Sequence, residues 1–147
     1  MEPSLIEGQC AIDDRGQLSF CNAFDFKGVK RFYMVENFST EVVRAWHGHK
    51  KESKHLLVVS GAAVVAAVPL DQAGKPDKKS PVARFVLSAR KPGLLHIPAG
   101  FAHGTRFLEP GTRLMVFSSS SLEESSGDDY RAPHDYLGTD IWRVENR

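Results

Sequence analysis

The strongest constraint on the fold is a succession of short runs of strand-forming residues, each followed by residues that favour turns. No segment keeps a helical hydrophobic period for more than about two turns. Turn sequences such as Ser60-Gly61 and Glu109-Pro110-Gly111 divide the runs, since glycine allows positive φ and proline presets a bend. Many short antiparallel strands hide their edges by closing into a barrel or packing as a sandwich. The pattern therefore predicts an all-β chain, with a jelly-roll barrel as the leading arrangement. The predicted strands cover residues 9–12, 17–21, 30–38, 42–49, 54–69, 83–88, 93–97, 105–108 and 112–118.

Length and composition fit one globular domain. The chain has 147 residues, enough for one hydrophobic core and too few for two, and its 41% hydrophobic and 25% charged residues argue against disorder. Its formal net charge of +1 is spread along the chain, which argues against a nucleic-acid partner. No apolar run reaches the ~18–20 residues of a membrane-spanning helix, and residues 1–5 lack the features of a secretory signal. We expect a single domain over residues 1–147, located in the cytoplasm, with Cys10 and Cys21 as free thiols.

The C-terminal third contains two segments outside the predicted strands. Residues 118–126 are rich in serine and are expected to form a loop or a short helical turn. The tail from residue 127 to 147 carries Tyr130, Tyr136 and Trp142. Because three large aromatic side chains are unusual in a disordered end, we expect this tail to pack on the barrel.

Two clusters of histidines carry the chemistry. Side chains in a strand alternate between faces, so His47 and His49 point to the same side and reach one site. A third histidine, His103, follows the tight turn Pro98-Ala99-Gly100. The remaining histidines are expected to be ordinary surface or hydrogen-bonded residues; they are His55, His96 and His134.

These clusters resemble the two motifs of the cupin superfamily. Residues 98–103, Pro-Ala-Gly-Phe-Ala-His, match its Pro-x-Gly-x-x-His motif, and His47 and His49 match the histidine pair of the other motif. The resemblance implies a cupin-type double-stranded β-helix. Lys54 occupies the place of the motif's metal-binding glutamate, and an ammonium there would repel a cation. We therefore expect no metal and no other cofactor, although a metal-dependent enzyme stays open if Lys54 turns away from the histidines.

Within the cupins, most of the chain is similar to the dTDP-4-dehydrorhamnose 3,5-epimerases and the dTDP-sugar 3,4-ketoisomerases. Residues 97–104 are nearly the epimerase motif. Residues 44–47, Arg-Ala-Trp-His, resemble the epimerase Arg-Gly-x-His, which implies that His47 is the catalytic base. Lys54 falls where epimerases carry an active-site lysine.

Further positions follow from the same resemblance. Arg15, in Asp14-Arg15-Gly16, is similar to an early arginine that binds the phosphates of the nucleotide, and Asn37 also has a counterpart. Asp135 resembles the carboxylate that pairs with the epimerase base. The family pairs as homodimers, so a homodimer is expected here as well.

The ketoisomerases resemble this chain more closely at residues 46–51, Trp-His-Gly-His-Lys-Lys, and both histidines act in that group. Residues 114–121 lack the tyrosine that serves the epimerases as proton donor. The candidates to replace it are His49, Tyr33 and Tyr130.

The residue types suit proton transfer next to a ketone. Such a proton is weakly acidic, so its removal needs a positioned base and a group that stabilises the enolate oxygen. His47 fits the base and Asp135 its orienting partner, while Lys54 and His103 suit the enolate oxygen. Arg15 and Arg44 suit a diphosphate, and Trp46 either stacks on the ligand or belongs to the core.

We therefore expect a metal-independent isomerase, either an epimerase or a ketoisomerase, that acts on a nucleotide-activated keto-sugar. A cupin that binds the nucleotide sugar without catalysis is the alternative from a different class, favoured by the missing tyrosine.

Overall fold

The computed structural model describes residues 1–147. Its secondary structure is almost entirely strand, with one short α-helix and one 3-10 turn. The strands are β1 Ser4–Glu7, β2 Gln9–Asp13, β3 Gly16–Phe20, β4 Arg31–Val35, β5 Val43–His49, β6 Lys54–Ser60, β7 Ala62–Pro69, β8 Ala83–Ser88, β9 Gly93–Ile97, β10 Phe101–Phe107, β11 Arg113–Ser118 and β12 Tyr130–Arg131. The helix α1 spans Leu122–Ser126 and the 3-10 turn spans Asp140–Trp142.

Two five-stranded antiparallel sheets form the body of the protein. Their strand orders are β1-β9-β6-β11-β4 and β12-β5-β10-β7-β8, and the hairpin of β2 and β3 is a separate two-stranded sheet. From β8 onward, each successive strand lies in the sheet opposite to the strand before it. Such crossing between two packed sheets is the arrangement of a jelly roll. The predicted all-β jelly-roll fold is confirmed.

The main core lies between the two sheets, because one face of each strand points inward. Leu56 of β6 and Leu114 of β11 meet Val65 of β7 in this cluster, and all three are almost completely buried. Packing of the two inner faces stabilises the sandwich by removing apolar surface from water.

A second cluster covers the other face of β7. Val64 and Val68 of β7 pack there with Trp46 of β5 and with Trp142 of the tail. The two indole rings lie 5.4 Å apart at their centroids. The expected packing of the aromatic tail on the barrel is confirmed, and it explains why β7 is apolar on both faces.

The start of β10 differs from the sequence prediction. The strand begins at Phe101 rather than at residue 105, directly after the turn in which Gly100 has φ of 88°. The Gly100 amide donates to the His49 carbonyl at 2.7 Å, and the Leu70 amide donates to the Gly100 carbonyl at 2.8 Å. This turn is therefore fixed to both neighbouring strands. As a result, His103 of β10 pairs in register with His47 of β5.

The serine-rich segment forms the helix α1, which begins after a capping box. The Ser121 side chain accepts from the Glu124 amide, and the Glu124 carboxylate accepts from the Ser121 amide. This confirms the short helical turn expected for residues 118–126. The chain contains no helix with the length and hydropathy needed to cross a membrane.

Candidate active site

One cavity of about 370 Å³ opens between the sheets and contains the predicted histidines. Its volume is within the ordinary range for small-molecule sites, about 300–1,000 Å³. The inner faces of both sheets and the helix α1 contribute the wall. The polar lining residues are Arg31, Tyr33, Arg44, His47, His49, Lys54, His103, Thr105, Ser125, Ser126, Asp129 and Arg131.

His47 and His103 face each other across neighbouring strands. The register pairs them directly, and their ring centroids lie 6.3 Å apart. His103 is buried, whereas His47 is half-buried and its ring makes no hydrogen bond within the chain. An imidazole without a partner is available to a ligand.

His49 is held on both ring nitrogens. Its Nδ1 donates to the Asp128 carbonyl at 2.6 Å, so Nε2 is the acceptor, and it faces Lys54 Nζ at 3.1 Å. This arrangement fixes His49 as the neutral tautomer with its proton on Nδ1. His49 therefore supports the Lys54 ammonium and has no free nitrogen with which to remove a proton.

Behind Lys54 lies a buried carboxylate that the sequence analysis did not identify. Glu52 has a fully buried side chain, with Oε2 at 3.3 Å from Lys54 Nζ and Oε1 at 3.8 Å from the Arg31 guanidinium. Burial raises the pKa of Glu52, but contact with the Ser125 hydroxyl and the positive charge of Lys54 outweigh it and lower the pKa below its ordinary value. Glu52 is thus an anion beneath the floor of the cavity.

Asp128 fixes the loop between the two histidine-bearing strands. Its carboxylate accepts from the amides of Lys50, Lys51 and Glu52 at 2.8, 2.8 and 2.9 Å. These hydrogen bonds lower the pKa of Asp128 although burial raises it. One residue therefore holds both the loop and the ring of His49.

The cavity keeps its histidines uncharged. Burial, together with the positive charges of Arg131 and Lys54, lowers the pKa of His47 to about 4. Burial is also the main reason that the pKa of His103 lies well below its ordinary value. Near neutral pH both imidazoles are neutral, so His47 has an unprotonated ring nitrogen without a partner in the chain.

Three guanidinium groups line the cavity. Arg44 donates to the Asn37 side-chain oxygen at 2.6 Å, which fixes its direction. Arg131 is ion-paired with Asp129 at 3.0 Å, and Arg31 lies over the Tyr33 ring at 5.1 Å. A cluster of arginines of this kind suits the oxygens of a diphosphate.

The structure brings five of the nine predicted site residues into the cavity: His47, His49, Lys54, His103 and Arg44. Asn37 does not line it but positions Arg44.

Three predicted site residues lie elsewhere. Trp46 directly precedes His47, which lines the cavity, so its side chain points to the opposite face of the strand. It is only 1% exposed and belongs to the core beside Trp142, and therefore it cannot stack on a ligand. Asp135 is exposed in the tail outside the cavity, and the carboxylate whose charge acts on His47 is Asp129 instead. Arg15 is exposed at the tip of the β2–β3 hairpin, where it pairs with Asp13 at 2.6 Å.

The proton-donor candidates also separate. Tyr33 is the one tyrosine among the lining residues. Tyr130 lies outside, with Lys50 Nζ at 4.8 Å from its ring centroid. The serines in place of the family tyrosine support the backbone: Ser118 Oγ accepts from the Ser120 amide at 3.0 Å, and Ser119 Oγ accepts from the Ser53 amide at 2.9 Å.

The histidines do not fit the metal site that a cupin fold implies. The Lys54 ammonium lies 3.1 Å from the nitrogen of His49 that would have to bind a metal ion. The chain has no group of three His, Cys, Asp or Glu side chains arranged to hold one. A cationic group in the place of a ligand opposes metal binding.

Comparisons with known proteins identify solved structures of the same fold. No curated protein matches the chain. Among solved structures, dTDP-4-dehydrorhamnose 3,5-epimerase from Bacillus anthracis has a TM-score of 0.70 and 22% identity, covering 88% of this chain and 77% of the epimerase. The 3,4-ketoisomerase QdtA from Thermoanaerobacterium thermosaccharolyticum, in complex with TDP-4-keto-6-deoxyglucose, has a TM-score of 0.67 and 20% identity over 92% of this chain and 91% of QdtA. The RmlC epimerase from Mycobacterium tuberculosis has a TM-score of 0.72 and 16% identity over 88% of this chain and 68% of RmlC.

These structural likenesses support the fold, and a family model supplies the relationship. The model described as FdtA, WxcM-like, C-terminal, matches residues 1–139. The resemblance predicted from the histidine motifs is confirmed. The chain belongs to the FdtA, WxcM-like C-terminal family.

Proposed function

We propose that the protein is a sugar-nucleotide isomerase that moves a proton next to the ketone of a dTDP-4-keto-6-deoxyhexose. One observation carries the proposal: the neutral, unpartnered His47 and the Lys54 ammonium line the same cavity. A base and a cation in one cavity supply the two requirements of enolate chemistry.

The reaction follows from these positions. His47 takes the proton from the carbon beside the ketone, the electron pair of that C–H bond forms a C=C bond to the carbonyl carbon, and the π pair of the carbonyl moves to its oxygen. The resulting enolate oxygen is stabilised by Lys54, which His49 and Glu52 hold in place. His103, neutral and opposite His47, adds a second polar group beside this oxygen.

The intermediate then takes up a proton. Return to the same carbon from the opposite face gives an epimer. Delivery to C4, the former carbonyl carbon, gives the 3-ketone, provided that the C3 hydroxyl proton passes to the C4 oxygen so that C3 becomes the carbonyl carbon and C4 carries the hydroxyl. Tyr33 is the acid that we assign to this step, since its side chain lines the cavity. The three guanidinium groups Arg31, Arg44 and Arg131 hold the diphosphate.

The test is exchange in deuterated buffer, read by NMR on dTDP-4-keto-6-deoxyglucose. An epimerase incorporates deuterium at C3 or C5, and a ketoisomerase incorporates it at C4. His47→Asn should reduce incorporation by about 10²–10⁴-fold, the usual contribution of a general base. The matched control is His134→Asn, because His134 is exposed and outside the cavity.

Tyr33→Phe separates the two half-reactions. Deuterium should still wash into the substrate through His47 while product formation falls. Binding of dTDP without exchange at C3, C4 or C5 would contradict the isomerase and favour a cupin that only binds the nucleotide sugar.

We also propose a homodimer. The β2–β3 hairpin pairs with neither large sheet and exposes Ile12 by 76% and Leu18 by 65%. The outer face of the first sheet exposes Phe32 by 67%. Exposed apolar surface of this kind is typical of an interface. Light scattering after size exclusion should give twice the monomer mass of 16.3 kDa, and a mass of one chain at micromolar concentration would refute the dimer.

A further inference from the structure

Glu52 stands apart from the reaction just described, although its side chain is the most deeply buried charge beside the cavity. It is fully buried, it does not line the cavity, and its nearest cation is Lys54 at 3.3 Å. The desolvation cost of a buried carboxylate has to be offset by a specific partner. Lys54 is itself buried, at 6% exposure, and has the same need.

The other carboxylates near Lys54 have partners of their own. Asp129 lines the same cavity but is ion-paired with Arg131 at 3.0 Å, and the Asp128 carboxylate accepts from three backbone amides. The remaining groups that face Lys54 carry no carboxylate; they are His47 and His49 on β5, His103 on β10, and Tyr33 and Arg31 on β4. Glu52 is therefore the counter-ion of the Lys54 ammonium.

The position of Glu52 also separates its role from that of a ligand-binding group. It lies in the loop that Asp128 fixes through three backbone amides, so the carboxylate is held from behind while Lys54 Nζ faces the cavity. A carboxylate in contact with Lys54 on the cavity side would compete with an enolate oxygen for the ammonium, whereas Asp129, the carboxylate that lines the cavity, is paired with Arg131. From beneath the floor, the Glu52 carboxylate pairs with the ammonium while Lys54 still lines the cavity.

We propose that Glu52 is a positioning residue that maintains the charge and direction of Lys54 for stabilisation of the enolate oxygen. The inference rests on the proposed isomerase function for its catalytic consequence. The effect of Glu52 on the charge of Lys54 can be measured by titration of Lys54, without turnover.

The experiment compares the parent protein with Glu52→Gln and Glu52→Asp by NMR titration of lysine labelled with ¹³C at Cε, the Lys54 signal being assigned from Lys54→Arg. Removal of an opposite charge at this distance should move the Lys54 titration midpoint to lower pH by at least about one pH unit. Glu52→Asp, which keeps the charge, should recover part of that change. An unchanged midpoint in Glu52→Gln would overturn the inference.

Turnover gives the second readout. In Glu52→Gln, kcat should fall by about ten-fold or more, KM for the sugar nucleotide should stay within about three-fold, and the alkaline limb of the kcat profile should move to lower pH. A variant that raised KM and left kcat and its pH profile unchanged would place Glu52 in binding and refute the positioning role.

The outcomes distinguish this inference from the proposed function. If the parent shows no exchange while the Lys54 midpoint still moves in Glu52→Gln, the isomerase proposal fails and the Glu52–Lys54 pairing stands. If the parent is active and Glu52→Gln changes neither the Lys54 midpoint nor kcat, the isomerase proposal stands and the Glu52–Lys54 pairing fails. Should Glu52→Gln not fold, the double variant Glu52→Gln/Lys54→Met replaces it: it should fold as well as Lys54→Met alone, and its failure to do so would overturn the pairing.

Discussion

Proton abstraction should persist at acidic pH, because burial and the charges of Arg131 and Lys54 lower the pKa of His47 to about 4. A base with that pKa is about 97% neutral at pH 5.5, whereas an imidazole with the ordinary pKa of about 6.5 is only about 9% neutral there. Between pH 7.5 and 5.5, kcat/KM should thus change by less than about 10% if His47 is the base, and should fall roughly ten-fold if an unperturbed histidine acts.

The assay is the initial rate of deuterium incorporation at low substrate concentration, since kcat/KM reports ionisation of the free enzyme. The diphosphate of the sugar nucleotide is a diester and does not ionise in this range, so the substrate does not contribute a limb. Two variants supply matched controls on the ion pair beside His47. Loss of the positive charge in Arg131→Gln should move the midpoint of the acidic limb to higher pH. Loss of the negative charge in Asp129→Asn should move that midpoint to lower pH.

The result that would refute the reasoning is an acidic limb centred near pH 6.5 in the parent. Movement of the limb in the same direction by Arg131→Gln and Asp129→Asn would refute it as well, because their charges act on His47 with opposite signs.

Three further predictions concern stability. Trp142→Ala should cost about 3–5 kcal/mol in urea unfolding, since the indole is 2% exposed, while Phe38→Ala at a fully exposed side chain should change stability by less than about 0.5 kcal/mol. Asp128→Ala should cost about 2–5 kcal/mol, because one buried and two partly buried amides lose a charged acceptor, and unchanged urea unfolding would contradict the loop-fixing role. The free energy of unfolding should fall as the pH is lowered below about 6.5: the folded pKa values of His47 and His103 are depressed, so the unfolded chain binds more protons there, and stability that rises on acidification would reverse this sign.

The sequence predicted the part of the site that local geometry decides. The period-two alternation of a strand places His47 and His49 on one face. The turn at Gly100 brings β10, the strand that carries His103, beside them. The same alternation places Trp46 on the opposite face, so its exclusion from the cavity also follows from the sequence, once the strand is accepted.

The contacts that set the charges and positions of the cavity side chains could not be predicted from the sequence, because they join segments far apart in the chain. Asp128 meets the loop at residues 50–52 across 76 to 78 positions, and nothing local marks it as the acceptor of those amides. Glu52 lies two residues before Lys54 along the chain, but its pairing with Lys54 depends on burial, which only the packing of the loop establishes. For Asp135, a motif resemblance in an irregular tail could not predict a direction toward the cavity.

His47 and His49 differ in their contacts for a reason that neither the histidine motif nor the strand period contains. Both point into the same cavity, and burial lowers the pKa of each. Only His49 has a carbonyl at Nδ1 and an ammonium at Nε2, so its lone pair is already engaged. A base must offer a free lone pair, and an enolate needs a nearby positive charge. In the proposed mechanism, the same contact that removes His49 from proton transfer thus supports the Lys54 ammonium and leaves His47 to act as the base.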